Sequence, residues 1–507
     1  MTESSTVPSR ASPVAAAGWL VLAVGCGILG SGSGAVAAAA WLSPIFTLRF
    51  FRSQSTGRGA LGLFLAGAVV LAIGWRVFPF GGAVGLAVFA TVGALFGLVP
   101  FLADRWLGGD GASVRATLVY PLAATALEFF LGQGGDLGSW GATGYALVDQ
   151  APMLQLVGWT GLAGPAFLVG WVASAGNAWW AYGSAARRGV LLCAVVVGGV
   201  ALASGLREAP AGGETIRVAA VGAPRWNGVP DDQRGVVLGG DPVTTDTLAV
   251  VRAHNAPGID RLWATSDRAA AGGARLVAWS EGAATLWDQD EAGFTERAVA
   301  WSAAHDAVLV IGMVVLSTGE DRRIRNEAIV VTPSGGVAGR YAKAVPTPGV
   351  ERSISHAGDG RLVPVDTPFG RIATVICYDL DFPRILAQAT AADVDLVVAP
   401  AGDWPEVAEI HADMARFRAV EQGVAVLRPA SAGRSTVVGP RGEVLAARTT
   451  DGTGDSLLFG EIPASGRVPT VYGRTGDLVG WGSVAGFLGM CLWAGVKRIK
   501  RGRTRTK

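Results

Sequence analysis

The sequence predicts a polytopic α-helical membrane domain joined to an α/β layered domain, and three observations carry that expectation. Half of the 507 residues are hydrophobic and only 16% are charged, against roughly 25% in an average soluble chain. The deficit is local: residues 14–205 hold few charges, whereas 213–465 hold the density of a globular domain. From about residue 213, short apolar runs alternate with amphipathic stretches, the pattern of strands and helices stacked in layers.

A bilayer core about 30 Å thick needs roughly 20 apolar residues per helix. Candidate spans are 14–30, 35–48, 59–76, 82–103, 113–132, 156–182, 188–205 and, far downstream, 478–496. Gly30-Ser31-Gly32-Ser33-Gly34 divides the first two, and the second is short and contains Pro44. A signal peptide cleaved near Ala37 is the competing reading of this start.

Charge asymmetry arbitrates. With the N-terminus inside, the cytoplasmic loops hold Arg49, Arg52 and Arg58, then Arg105 and Arg115, then Arg187 and Arg188, and finally the basic tail Lys497–Lys507. The opposite loops hold Arg76, and 133–155 has neither Lys nor Arg, as the positive-inside rule requires. The expectation is a multi-pass plasma-membrane protein with both termini cytoplasmic. It has a membrane domain at 1–205 with about seven spans, an extracytoplasmic domain at 206–477, and a last span with its tail at 478–507. Glu128 and Asn177 are polar residues within spans, read as interfacial placement or helix–helix hydrogen bonding.

The net charge of +2 gives no reason to expect a nucleic-acid partner, because the basic residues gather at the tail beside an apolar segment. Of four cysteines, Cys26, Cys193 and Cys491 lie in apolar runs and only Cys377 lies in the globular part, so no disulfide framework is expected. The histidines His254, His305, His356 and His411 show no metal-ligand spacing, and no cofactor is expected.

In the globular part, Ile216–Val221 reads as a strand and 245–271 as a helix. Leu276–Trp279, Val308–Val315 and Ala328–Thr332 read as strands, the last followed by a Ser334-Gly335-Gly336 turn. Ile372–Ile376 is another, delivering Cys377 at its end. A helix near 383–391, the strand Leu396–Ala399, a helix at 406–421, and strands Ala425–Arg428 and Thr436–Val438 complete the pattern.

Three reactive residues stand at strand ends in this layout: Glu281, Lys343 and Cys377. Layered α/β sheets collect reactive groups there. A thiol near pKa 8.5 is a weak nucleophile until a base takes its proton or a cation stabilises the thiolate. A carboxylate can be that base, and a fixed ammonium, with the backbone N–H after the cysteine, can hold an oxyanion. Singly, each has a dull alternative: a buried Cys is usually inert, and a Glu or Lys after a strand is usually a solvated turn residue. The combination and its order carry the case.

That order, with a hydrophobic strand before each residue, resembles the nitrilase (carbon–nitrogen hydrolase) superfamily. Cys-Tyr-Asp-x-Asp-Phe-Pro at 377–383 resembles its nucleophile signature, and Arg418-Ala419-Val420-Glu421 its later Arg-Ala-x-Glu helix. Membership implies a four-layer αββα sandwich. Seven N-terminal spans, such a domain and one last span resemble the apolipoprotein N-acyltransferase family. So do Gly138–Tyr145 followed by Leu154-Gln155-Leu156 and Gly161-Leu162-Ala163-Gly164, and Tyr472-Gly-Arg-Thr-Gly-Asp477. The resemblance implies Glu281 as general base, Lys343 as oxyanion-stabilising lysine and Cys377 as nucleophile, with Glu351, Tyr378 and Glu421 in support.

Four places depart from that family. Ser280 stands where its Trp-Pro-Glu has Pro. Val345-Pro-Thr-Pro-Gly-Val-Glu351 replaces Leu-Val-Pro-Phe-Gly-Glu, in a loop at 344–356 whose Pro and Gly content suggests a lid. Asp379 replaces Glu in Cys-Tyr-Glu, and Gly402-Asp403-Trp404-Pro405 replaces Asn-Asp-x-Trp-Phe. These changes bear on acceptor specificity.

The expected function is therefore a ping-pong acyl transfer through a thioester on Cys377. A membrane phospholipid would be the acyl donor and the α-amine of a diacylglyceryl-cysteine lipoprotein the acceptor. A membrane-tethered amidase is the first alternative, because the same trio serves when water resolves the acyl-enzyme. A non-catalytic scaffold that kept the fold is the second. A transporter is a third, set against spans that lack paired intramembrane charges.

Overall fold

The computed structural model describes residues 12–32, 34–78, 82–109, 111–205, 214–224, 228–239, 243–319, 324–464 and 466–505. The expected domain boundary at 205/206 falls at the edge of these residues. Ser33 of the first glycine-rich break and Lys507 at the end of the basic tail lie outside them. The chain divides into two compact units, Met1–Glu208 with Thr475–Lys507, and Ala209–Arg474.

The first unit is helical: α1 Pro13–Leu29, α2 Ala37–Ser53, α3 Thr56–Gly74, α4 Ala83–Gly97, α5 Val99–Leu107, α6 Val114–Gly134, α7 Ala151–Thr160, α8 Ala163–Tyr182 and α9 Arg187–Gly205. A final helix runs over Leu478–Arg505. Every expected span falls on helix, with three differences, the first being that the span at 82–103 divides at Leu98 into α4 and α5. The span expected at 156–182 is two helices, because Gly161 takes a positive-φ conformation (φ 60°, ψ −165°) open to glycine, which ends α7. In addition, α2 continues past the expected span to Ser53 and carries Pro44 within it.

Among the described residues, five helical stretches are long and apolar enough to cross a membrane: Thr56–Gly74, Ala83–Leu107, Val114–Gly134, Ala163–Ser204 and Leu478–Lys500. The fourth comprises α8 and α9 and folds back on itself, since Cys193 of α9 packs with Trp171 and Ala175 of α8. Leu61, Leu65, Val69 and Ile73 form an exposed apolar stripe on α3, a surface that suits lipid rather than water.

Several polar side chains inside this unit make hydrogen bonds between segments. Asn177 donates to the carbonyls of Ile45 on α2 (2.9 Å) and Ala173 (3.0 Å), so it is a helix–helix hydrogen bond. Glu128 accepts from the backbone N–H (3.2 Å) and hydroxyl (2.6 Å) of Thr143. Arg52, assigned from sequence to a cytoplasmic loop, lies in α2 and pairs with Asp104 of α5 through both carboxylate oxygens, at 2.9 and 2.7 Å.

The second unit is a sandwich of two sheets between helices. Its elements run β1 Thr215–Gly222, α10 Arg234–Gly239, α11 Thr245–Ala271, β2 Leu276–Trp279, β3 Ala284–Trp287, α12 Glu291–His305, β4 Val308–Leu316, β5 Ile324–Thr332, β6 Gly336–Ala342 and α13 Val350–Ile354. They continue β7 Val365–Thr367, β8 Gly370–Thr374, α14 Pro383–Ala391, β9 Leu396–Val398, β10 Ala401–Gly402, α15 Ala408–Gln422, β11 Ala425–Arg428, β12 Ala430–Ser431, β13 Arg434–Val438, β14 Val444–Thr449 and β15 Ser456–Pro463.

One sheet has the order β15-β1-β2-β4-β5-β6, with β3 also paired to β4, and the other the order β14-β13-β11-β9-β8-β7. The period-2 alternation of strands sorts their side chains. Val218, Ala220, Leu276, Val308 and Val310 meet Ile372, Leu396, Val398 and Leu427 of the opposite sheet. Their neighbours Ala219, Val221, Val277, Leu309 and Ile311 instead pack with Leu262 and Trp263 of α11 and with Ala298 and Trp301 of α12. Apolar residues of α14 and α15 are buried on the other flank, including Leu386, Met414 and Phe417. The result is the expected αββα sandwich.

Candidate active site

Each residue of the sequence-derived trio follows a strand that the core holds rigid. Glu281 comes two residues after β2, and its N–H donates to the Ala401 carbonyl (3.3 Å). That segment lies so close to β4 that a Cβ on Gly312 would meet the Ser280 carbonyl oxygen at 2.3 Å, so only glycine fits there. Lys343 directly follows β6, with its N–H on the Asn326 carbonyl (2.9 Å).

Cys377 comes after β8, whose strand ends at Thr374 rather than at the expected Ile376. The ladder continues regardless, since Val375 N–H donates to Val398 (3.1 Å) and Cys377 N–H to Pro400 (2.8 Å). Cys377 then turns into left-handed backbone, φ 47°. That conformation costs a non-glycine residue roughly 1–2 kcal/mol and is typical of functional sites.

The structure brings Glu281, Lys343 and Glu351 into direct contact. Lys343 Nζ, 2% exposed, donates to Glu281 Oε1 at 2.8 Å and to Glu351 Oε2 at 2.9 Å. Asn326 Nδ2 bridges the same two carboxylates, at 2.8 and 3.1 Å, and Thr347 N–H donates to Glu351 (2.8 Å). Burial alone would lower the lysine's pKa, but Glu281 and Glu351 outweigh it and hold the ammonium firmly charged. Glu351 is held below the usual carboxylate range: burial would raise it, and Lys343 reverses that.

Cys377 Sγ lies 3.6 Å from the Gly402 carbonyl oxygen. A Cβ on Gly402 would sit 3.3 Å from Glu281 Oε2, so this residue lies against both the thiol and the carboxylate. Burial first, then the Glu281 charge, push the thiol well above its ordinary pKa, against the opposing pull of Lys343. Of the two routes to a reactive sulfur, a base at the moment of attack therefore fits better than a standing thiolate.

Tyr378 follows Cys377 in a one-turn helix and packs edge-on to Phe382, 5.4 Å between centroids. Asp379 fixes that turn by accepting from the backbone N–H groups of Ile376 (3.2 Å) and Val345 (2.8 Å) and from the Tyr341 hydroxyl (2.9 Å). Burial raises its pKa to about 7. Through Asp379 the turn that begins at Cys377 and the loop after Lys343 are held together. Glu421 plays a different part: it pairs with Arg418 one turn earlier on α15 (3.1 Å), both fully buried, and supports that helix.

A cavity of about 930 Å³ opens on Glu281, Asn326, Glu351 and Gly402, with Val314, Leu316, Ile324 and Trp404 among its apolar walls. That volume lies at the upper end of small-molecule sites.

Sequence reasoning missed Asn326, a polar residue within strand β5, and a second buried cluster. Asp403 is paired to Arg428 Nη2 (2.7 and 2.9 Å) and to His411 Nδ1 (2.8 Å), while His411 Nε2 lies 3.3 Å from Asp381. Cys377 Sγ, an Asp403 oxygen and a His411 ring nitrogen lie within 4.8 Å of one another. Three such groups could hold a metal ion, but Arg428 already occupies the carboxylate and both ring nitrogens already face carboxylates. The available signal was His411 and Arg418 recurring at i, i+7 on α15, a polar stripe on a buried face.

Residues 218–469 match the family described as carbon-nitrogen hydrolase. This segment is a carbon–nitrogen hydrolase domain. The chain is similar to apolipoprotein N-acyltransferase of Geobacter metallireducens, 26% identical with 77% of this chain and 75% of that one covered. It is also similar to deaminated glutathione amidase of Mus musculus, 27% identical over 27% of this chain and 47% of that one. With nitrilase 3 of Arabidopsis thaliana it shares 36% identity over 20% of this chain and 28% of that one. The chain thus spans three quarters of the length of the first of these relatives and less than half of the other two. Among solved structures, an amidase from Nesterenkonia sp. aligns with 51% of this chain and 94% of its own, at 18% identity and a TM-score of 0.38. The chain is an enzyme of the carbon–nitrogen hydrolase superfamily, and its likeness to the N-acyltransferase extends beyond the hydrolase domain.

Proposed function

We propose that this enzyme moves a fatty acyl chain from a phospholipid, through a thioester on Cys377, to the N-terminal amine of a diacylglyceryl-cysteine lipoprotein. The observation that carries the chemistry is one buried ammonium, Lys343, shared by Glu281 and Glu351 beside a thiol held in left-handed backbone. Glu281 takes the thiol proton as sulfur attacks the ester carbonyl. Lys343 and the Tyr378 backbone N–H stabilise the oxyanion. The C–O bond breaks, and the lysophospholipid leaves as an alcohol with the proton returned by Glu281. The acceptor amine then attacks the thioester, Glu281 takes its proton, and the thiol is regenerated.

The likeness to an N-acyltransferase along three quarters of the chain supports an amine rather than water as acceptor. Helices apolar enough to cross a membrane support a lipid donor, since lifting an acyl chain out of a bilayer costs about 0.8 kcal/mol per CH₂. The location that fits is the plasma membrane, with the segment 206–477 on the extracytoplasmic face between 1–205 and 478–507 and both termini cytoplasmic. The shorter matches to amidases favour a second reading, in which water resolves the acyl-enzyme.

Incubating the purified protein with phospholipid micelles tests the proposal by intact-mass spectrometry. A hydroxylamine-labile fatty-acyl adduct, absent in Cys377→Ala, is the expected result. No adduct and no lysophospholipid would overturn the phospholipid donor. Adduct decay unaffected by a diacylglyceryl-cysteine peptide would favour the hydrolase.

A further inference from the structure

We propose that His411 is a positioning residue for the nucleophile: as the cation of a buried cluster with Asp381, Asp403 and Arg428, it keeps that cluster electrically neutral beside Cys377 and binds the Asp403 loop to the nucleophile turn. This rests on Cys377 being the nucleophile of the proposed reaction.

The geometry comes from three separate pieces of chain. Asp381 closes the turn that begins at Cys377, Asp403 follows β10, and Arg428 ends β11. His411 enters from α15 and reaches all three: Nε2 lies 3.3 Å from Asp381, and Nδ1 lies 2.8 Å from Asp403 and 2.9 Å from Arg428 Nη2. All four residues are buried, none more than 4% exposed. With the ring protonated, two cations face two anions. With the ring neutral, one negative charge is left over in a cluster whose Asp403 and His411 atoms lie within 4.8 Å of Sγ, where it opposes thiolate formation. Even about 10 Å away, an uncompensated charge at an effective dielectric of about 20 changes the thiolate population about tenfold.

The charged state follows from the surroundings. Burial and Arg428 both pull the ring's pKa down, but Asp381 and Asp403 outweigh them and push it up to about 9. The direction follows: with the ring charged the cluster is neutral, and it gains a negative charge as pH rises through about 9. The other charged groups acting on the thiol, Glu281 and Lys343, belong to the trio. Asp381 is the second aspartate of Cys-Tyr-Asp-x-Asp-Phe-Pro, but the motif does not say what that carboxylate meets, so the clamp was not legible in the signature.

The test measures alkylation of Cys377 by iodoacetamide from pH 6 to 10, read by peptide mass spectrometry on full-length protein in detergent. No acyl donor is needed, so failure of the acyltransferase proposal and failure of this one are distinguishable. His411→Gln is expected to slow alkylation at pH 7.5 at least tenfold and move its midpoint upward. His411→Gln with Asp381→Asn removes one charge of each sign and is expected to bring the rate back to within threefold of the native protein. Asp381→Asn alone, which also serves if His411→Gln does not fold, is expected to leave the midpoint unchanged or lower it. A His411→Gln protein that alkylates at the native rate, a double variant no faster than the single one, or a raised midpoint in Asp381→Asn would overturn the proposal.

Discussion

Each unit of the molecule buries an ion pair, and the two are built to opposite ends. In the helical unit, Arg52 gives two hydrogen bonds to Asp104 and a third to Ser174 (3.1 Å). Both carboxylate oxygens are spent on one guanidinium, which fastens α2 to α5 and α8. In the sandwich, one ammonium serves two carboxylates and Asn326 serves them again. Bidentate pairing saturates a site and makes it structural. Sharing one cation leaves Glu281 with an oxygen near Gly402 and the thiol, which is what a base requires. The difference teaches that buried charge marks a reactive site only where acceptors exceed donors and a cavity adjoins them.

The largest effect should come from Glu281→Gln, which keeps the shape of the cluster and removes its base. The rate of acyl-adduct formation is expected to fall by about 10³-fold, within the range for general-base loss, while the unfolding midpoint in denaturant stays near native. Arg52→Met should reverse that outcome. It strands Asp104 in a buried setting and is expected to cost about 2–3 kcal/mol of stability, less than a fully enclosed pair because Arg52 is partly exposed. The adduct rate per folded molecule should stay within twofold. If Arg52→Met instead slowed the chemistry without loosening the fold, the contrast between the two pairs would fail. The smallest effect is expected from Glu351→Gln. Lys343 keeps Glu281, so adduct formation should fall only about tenfold; a loss equal to that of Glu281→Gln would make the two carboxylates equivalent.

Much of the sandwich was legible because its central strands are continuous apolar runs bounded by turn residues. Leu276–Trp279, Ala425–Arg428 and the helix 245–271 fall where the sequence put them. The edges were not. β14 is exposed along most of both faces and so lacks the alternation that betrays a strand. β15 carries Gly460 in its middle, and its place beside β1 is a pairing across 240 residues that local pattern does not encode. In the helical unit, composition located the helices, but Gly161 split one expected span, and Arg52 was an ion-pair partner that a loop count treated as free charge. At the site, Glu281, Lys343 and Cys377 were legible because each follows a strand in a recognisable order. Asn326, His411 and Arg428 were not, because their roles arise from tertiary proximity between segments that carry no shared signature.

The left-handed backbone at Cys377 sets stability against chemistry at a single position. Glycine there would relieve about 1–2 kcal/mol of strain and abolish the sulfur, so the side chain is held against the preference of its own backbone. In the proposed reaction that strained backbone is what presents the sulfur, and Cys377→Gly is expected to keep the sandwich while forming no acyl adduct.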